Sequence, residues 1–187
     1  MLKDEIRQGV TIRGLKDMLN LQTPPFEGYW TLENDTITFS KDPGGTKIKI
    51  LPYKQRENSS VPMSGLEVIS GEFTGCIMGI YKKDGVVHVN HVDTAEDSFG
   101  SRPQKEEWET MKKGAGFQLF KEHTTKGEVP GYIFGTLSAE QRKEHGTSIV
   151  MLCVASPAGS SATNSYSIAR AVVRKDGKDY KVLHKPA

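Results

Sequence analysis

The sequence predicts a strand-dominated α+β fold, a sandwich or mixed sheet with a few short helices. Three observations carry this. Short runs rich in β-branched and aromatic residues recur between turn signals such as Asp84-Gly85 and Asp176-Gly177. Helical periodicity is confined to brief segments. The 187 residues are 36% hydrophobic and 26% charged, which suits one globular unit. No repeat or linker divides the chain, so one domain over residues 1–187 is expected.

The elements follow in order. Leu2, Ile6, Val10, Leu15, Met18 and Leu19 suit one or two short amphipathic helices, interrupted at Gly9 and Gly14. Pro24 and Pro25 end that segment. Residues 29–32 and 36–39 flank Glu33, Asn34 and Asp35 and read as a hairpin. Residues 42–45 are a turn, 46–51 alternate as a third strand, and 54–65 are polar and read as loop. Residues 66–69 read as a short strand. Residues 74–81 and 86–91, on either side of Asp84-Gly85, form the strongest short hairpin signal in the chain. Residues 102–113 read as a helix, with Pro103 near its start and Gly114 after its end. Ser138 and Gln141 form a capping-box pattern that opens a helix to His145. Residues 147–155 read as a buried strand by apolar density, and 166–175 with 178–183 as a hairpin around Asp176-Gly177.

Charge and composition exclude several classes. Lys plus Arg is 25 and Asp plus Glu is 23, a net charge of +2. That is not the strong positive field of a protein built to grip nucleic acid, so no nucleic-acid partner is expected. The longest apolar run, 149–155, is far short of the ~20 residues a membrane span needs. The first residues carry acids and no apolar h-region, so no classical signal peptide is visible. Two cysteines, Cys76 and Cys153, make no disulfide framework and suit a reducing compartment.

A two-residue Asp84-Gly85 loop sets the register of its hairpin. Met78 then faces His91 and Cys76 faces Asp93. Side chains alternate with period 2, so Cys76, Met78, Ile80, Val87, Val89 and His91 share one face. His88 lies behind, with Ile77, Gly79, Tyr81 and Asn90. Cys76 and His91 become diagonal neighbours, about 7–8 Å apart along the backbone. An adjacent imidazole can take the thiol proton and hold a thiolate–imidazolium pair. Gly75 lets a substrate and backbone N–H groups approach the sulfur. The alternative is a buried cysteine beside a strand-end histidine, with no chemistry.

Residues 70–76, Ser-Gly-Glu-Phe-Thr-Gly-Cys, are followed by a strand, a turn and residues 86–94, Val-Val-His-Val-Asn-His-Val-Asp-Thr. This segment resembles the catalytic segment of the cytotoxic necrotizing factor and Burkholderia lethal factor-like toxins, which are Cys–His glutamine deamidases. The resemblance covers roughly residues 66–94, and the 15-residue step from Cys76 to His91 fits it. Thr74 stands where that family has Ser. The resemblance implies a mixed β-sandwich with a few short flanking helices. It implies a bacterial effector, exported without a visible signal peptide, that deamidates a glutamine of a host protein in the host cytosol. A small GTPase or a translation factor is the target class. It also implies a monomer that needs no cofactor. Transglutamination is a close variant, since a primary amine can replace water. In such enzymes an upstream carbonyl or hydroxyl often orients the histidine, and Ser70, Thr74 and Asn90 are the candidates here. The competing functions are a cysteine protease or acyltransferase, and a β-rich binding module in which Cys76 is structural.

The remaining candidates carry less. Cys153 lies in an apolar run that would raise its pKa and leave it inert. His88 and His91 stand at i and i+3 on a strand, on opposite faces, so they do not share a metal. His145 at a helix C-terminus complements the dipole, and His123 and His184 read as surface residues. The stretch from Arg102 to Trp108 is mixed in sign and reads as a solvated helix face. The small-residue stretch 157–165 reads as a flexible connection.

Overall fold

The computed structural model describes residues 1–21, 23–94, 103–159 and 165–187. Arg102 and residues 160–164, assigned above to a helix start and a loop, lie outside them. The chain is a β-rich α+β protein. Its order is α1 (Leu2–Glu5), β1 (Thr11–Arg13), α2 (Leu15–Leu19), β2 (Phe26–Glu33), β3 (Thr36–Ser40), β4 (Thr46–Leu51), β5 (Asn58–Pro62), β6 (Val68–Phe73), β7 (Ile77–Lys83), β8 (Val86–Val92), α3 (Pro103–Met111), β9 (Phe117–Thr124), α4 (Glu128–Thr136), α5 (Ala139–His145), β10 (Ile149–Ser156), β11 (Ser167–Asp176) and β12 (Asp179–His184).

The strands do not make two open layers. Eight close into a barrel in the order β1-β12-β11-β10-β6-β4-β2-β3, and β5-β8-β7-β9 form a separate four-stranded sheet. β1 closes the ring by pairing antiparallel with β12 and parallel with β3. This short strand lies between Gly9 and Gly14, where the sequence suggested only helix.

Alternation along β10 shows how the two units are joined. Val150, Leu152 and Val154 point into the barrel with Ile12, Ile37, Ile48, Ile69, Val173 and Tyr180. Ile149, Met151, Cys153 and Ala155 point outward, onto Met78, Ile80 and Val89 of the sheet. Both faces are therefore dry, which is why this strand reads as one continuous apolar run. Leu15, Met18 and Leu19 of α2 and Leu2 of α1 fill the barrel core. The outer face of the sheet carries Ile77, Tyr81 and Val92 against Trp108 of α3.

The Asp84-Gly85 hairpin has the register the sequence predicts, with Lys83 opposite Val86 and Met78 opposite His91. Asp84 and Gly85 both have positive φ, 49° and 85°, as a type I′ turn requires. Ser138 and Gln141 form both bonds of the capping box on α5. In the last hairpin Asp176 pairs with Asp179, so the loop is Gly177-Lys178, one residue later than the Asp-Gly signal suggests.

Besides β1, three more elements escape the sequence reading. β5, read as loop, is a polar edge strand ending at Pro62, a position with no inner ladder to interrupt. β9 is an edge strand with a register shift opposite Ile80/Tyr81. Phe117 packs on the outer cluster and Phe120 on the inner one, so neither face carries an apolar period of two. α4 contains Pro130 and two glycines, yet Pro130 sits in the first turn, where a missing N–H costs nothing.

Gly79 is required by this packing. A Cβ there would lie 2.5 Å from Asn90 Oδ1 and 2.9 Å from the Trp108 ring. Gly79→Ala is expected to lower stability by about 1–3 kcal/mol through overpacking, measured by urea unfolding.

Candidate active site

Cys76 and Asp93 lie one pair beyond the last ladder pair of β7 and β8, Ile77–Val92. Continuing the alternation puts both on the inner face of the sheet, with Met78 and His91. Cys76 is 7% exposed and Asp93 2% exposed. The thiol donates to Asp93 Oδ1 at 3.9 Å. Both residues line a cleft of about 690 Å³ with Tyr53, Glu72, Gly146 and Lys175.

The carboxylate is held from the other side. Its Oδ2 accepts the Arg56 backbone N–H at 2.6 Å, and the Asp93 N–H donates to the Glu57 carbonyl. The Tyr53 hydroxyl also lies against it; burial first, then Asp93, pushes that phenol up.

His91 is 1% exposed and packs behind the cleft. Its ring stacks on Phe73, with centroids 3.9 Å apart and planes 8° from parallel. Its Nδ1 is 2.9 Å from Ser70 Oγ, and Ser70 Oγ donates its one proton to the Leu51 carbonyl at 2.6 Å. Ser70 must therefore accept from Nδ1–H. This places the lone pair on Nε2, which is buried and has no hydrogen-bond partner among the described residues.

A break in alternation on β6 builds this arrangement. Gly71 pairs with Leu152 and Phe73 with Met151, so Glu72 is an extra residue in the strand. Without it Phe73 would follow Ile69 and Gly71 toward the barrel interior. With it Phe73 turns outward onto the imidazole. The Glu72 carboxylate accepts from Tyr180 at 2.8 Å and pairs with Lys175 in the cleft wall.

The candidates chosen from the sequence separate cleanly. Ser70 meets His91. Thr74 is exposed on the cleft and Asn90 belongs to the opposite face, packed toward Gly79, so neither touches the imidazole. Gly75 lines the cleft and its carbonyl accepts from Thr94 at 2.8 Å. A Cβ at Gly75 would meet only Thr94 Oγ1, at 3.8 Å, so among the described residues nothing crowds that position. His88 stacks on Tyr81 on the far face. Cys153 is fully buried, and its thiol is pushed up by burial. His123 is not a free surface residue: it sits against Glu128, which also takes two bonds from Arg170, at 3.0 and 3.1 Å. The predicted register already sets Asp93 opposite Cys76, but nothing in the sequence marks its carboxylate as a site group, and Tyr53, in a polar loop, carries no periodic signal. Among the described residues no group of His, Cys, Asp and Glu is arranged to hold a metal ion.

The electrostatics correct the expected thiolate–imidazolium pair. Burial pushes the Cys76 thiol up to about 11; Asp93 adds to this, while backbone amides of Thr94 and Thr74 oppose it. Burial pushes His91 down to about 3, with Asp93 opposing. At neutral pH each group is neutral, and the hydrogen-bond partner of the thiol is Asp93 rather than His91.

This carries a stability consequence. The folded-state pKa of His91 lies below its unfolded value, so the unfolded chain binds the extra proton between about pH 6.5 and about pH 3. The stability from neutral burial is present above that window and is lost as pH falls through it. His91→Gln keeps an N–H donor for Ser70 but does not titrate. Urea unfolding is expected to show a steeper acid loss in the wild type than in His91→Gln across this window.

No protein-family model matches the chain and no curated protein matches it.

Proposed function

We propose that the protein is a glutamine deamidase of the bacterial toxin type, with Cys76 as nucleophile and His91 as base. One observation carries the reading: Cys76 lies on a cleft wall, and the same sheet face holds an imidazole whose Nδ1 is tied down by Ser70 and whose Nε2 is unprotonated and unpartnered. The likeness of residues 66–94 to those deamidases supports the reaction class.

The reaction begins from the neutral pair. A carboxamide side chain enters the cleft and displaces water. The thiol proton moves to His91 Nε2 as the sulfur attacks the carboxamide carbon. Asp93 favours the transient imidazolium. Backbone N–H groups beside Gly75 and Cys76 hold the oxyanion. The tetrahedral species collapses, the C–N bond breaks, and ammonia leaves with the proton from His91. Water then attacks the thioester, giving its proton to His91. Glutamate departs and the thiol is restored. An amine in place of water gives transglutamination. The target gains a negative charge, which suits an effector acting on a host GTPase or translation factor.

A second reading is favoured by the burial of the thiol: a β-rich binding module with a structural Cys76. Ammonia release from glutamine peptides and intact-mass analysis of treated proteins separate the two. The deamidase is expected to convert amide to acid without chain cleavage, and Cys76→Ser is expected to abolish conversion with the fold retained. Full conversion by Cys76→Ser would remove the proposal, and no conversion by the wild type would favour the binding module.

His91→Ala is expected to lower turnover by about 10²-fold or more, the range for loss of a general base. His88→Ala, on the far face, is expected to leave turnover unchanged. Single-turnover ammonia assays check both.

A further inference from the structure

The buried acid beside the thiol has more to do than assist a proton transfer. Asp93 Oδ1 faces the sulfur, while Oδ2 is occupied by the Arg56 N–H. The carboxylate is clamped by the 54–57 loop and Tyr53, yet it still lines the cleft.

A reacting carbonyl carbon must come within ~3–3.5 Å of the sulfur. Its other substituents then fall within hydrogen-bond reach of Oδ1, which stands 3.9 Å from that sulfur. A primary carboxamide offers an oxygen that accepts and an NH2 that donates. The oxygen suits the backbone N–H groups beside the thiol, and the NH2 suits Asp93. A carboxylate offers two negative oxygens and no donor. It would meet a fixed negative charge in a buried setting, where like-charge repulsion is weakly screened. An ester offers no N–H, and a site built to bond an N–H discriminates strongly against analogues without one.

We propose that Asp93 is the specificity residue of this cleft: it accepts an N–H of a primary carboxamide at Cys76 and repels carboxylates, selecting glutamine and expelling glutamate. This rests on the reading of Cys76 as nucleophile and extends it to the substrate class. A carboxylate oxygen accepts more than one bond, so the role coexists with the contacts Asp93 already makes. A purely structural Asp93 would hold residues 54–57 in place and leave the choice between amide and acid unaffected.

The choice is readable on the thiol itself. Iodoacetamide carries a primary carboxamide, iodoacetate a carboxylate, and 2-iodo-N,N-dimethylacetamide an amide without N–H. Each alkylates Cys76 by displacement of iodide, with loss of the thiol proton. Rates at Cys76 are measured by peptide mass spectrometry on the full chain, with glutathione as the unselective reference.

The wild type is expected to prefer iodoacetamide over both other reagents by about tenfold or more beyond the glutathione ratios. Asp93→Asn keeps an oxygen for the Arg56 N–H and removes the charge. It is expected to bring the iodoacetamide-to-iodoacetate ratio close to that of glutathione. Wild-type ratios equal to those of glutathione would overturn the proposal, and this arm needs no variant to fold. An unchanged ratio in folded Asp93→Asn would overturn it equally. Ammonia release from glutamine peptides tests the deamidase reading separately. Selective alkylation without ammonia release would reject the deamidase and keep the carboxamide subsite; ammonia release without selectivity would do the reverse.

Discussion

The wall formed by β6 and β10 carries the whole arrangement, because it serves two cores at once. One face of β10 closes the barrel and the other receives the four-stranded sheet. Burial on both sides supplies the main driving force for docking the sheet, at roughly 25 cal/mol per Å² of apolar area removed from water. It also makes an unpaired polar group at this seam costly. Ser70, on β6 and fully buried at this seam, gives its proton to Leu51 and its lone pair to His91. The imidazole is thus oriented by the joint between the two sheets.

The bulge at Glu72 adds the second constraint. Regular alternation would put Phe73 in the barrel and leave His91 without a stacked neighbour. The extra residue moves Phe73 across the wall and sends the Glu72 carboxylate to Tyr180 and Lys175 at the cleft. One local irregularity therefore fixes the ring plane of His91 from behind and shapes the cleft in front. Bulges recur beside reactive sites because they redirect a side chain without rebuilding the strand.

These features also mark what the sequence could reveal. The face shared by Cys76, Met78 and His91 was legible, because a two-residue Asp84-Gly85 turn leaves one register and period 2 does the rest. The capping box at Ser138 and the dry strand at 149–156 were legible for the same reason: each is a local pattern with one physical reading. Barrel closure was not. It depends on β1, three residues between two glycines, finding β3 and β12 far along the chain. Ser70 stood among three candidates; alternation along β8 puts Asn90 on the other face, and the β6–β10 pairing separates Ser70 from Thr74. Asp93 falls opposite Cys76 in the predicted register, but its role is hidden, because it comes from the turn of the 54–57 loop against it, a contact between segments distant in sequence.

The chemistry that follows differs from the ion pair that cysteine–histidine spacing suggests. A thiolate–imidazolium pair needs solvent or donors to hold both charges, and this seam offers the sulfur a carboxylate instead. Keeping both groups neutral avoids placing charges in a dry interface, which would cost several kcal/mol per ion. Burial holds the thiol protonated, and Asp93, which adds to that effect, is also the group that favours a cationic His91. Proton transfer from sulfur to imidazole is therefore uphill at rest. Under the proposed function, a bound carboxamide would change that balance, since its N–H groups would take up part of the Asp93 charge that opposes the thiolate. Under the proposed function, reactivity would arise with the substrate in place, and the carboxylate that helps burial to quiet the free thiol would also identify the group on which it acts.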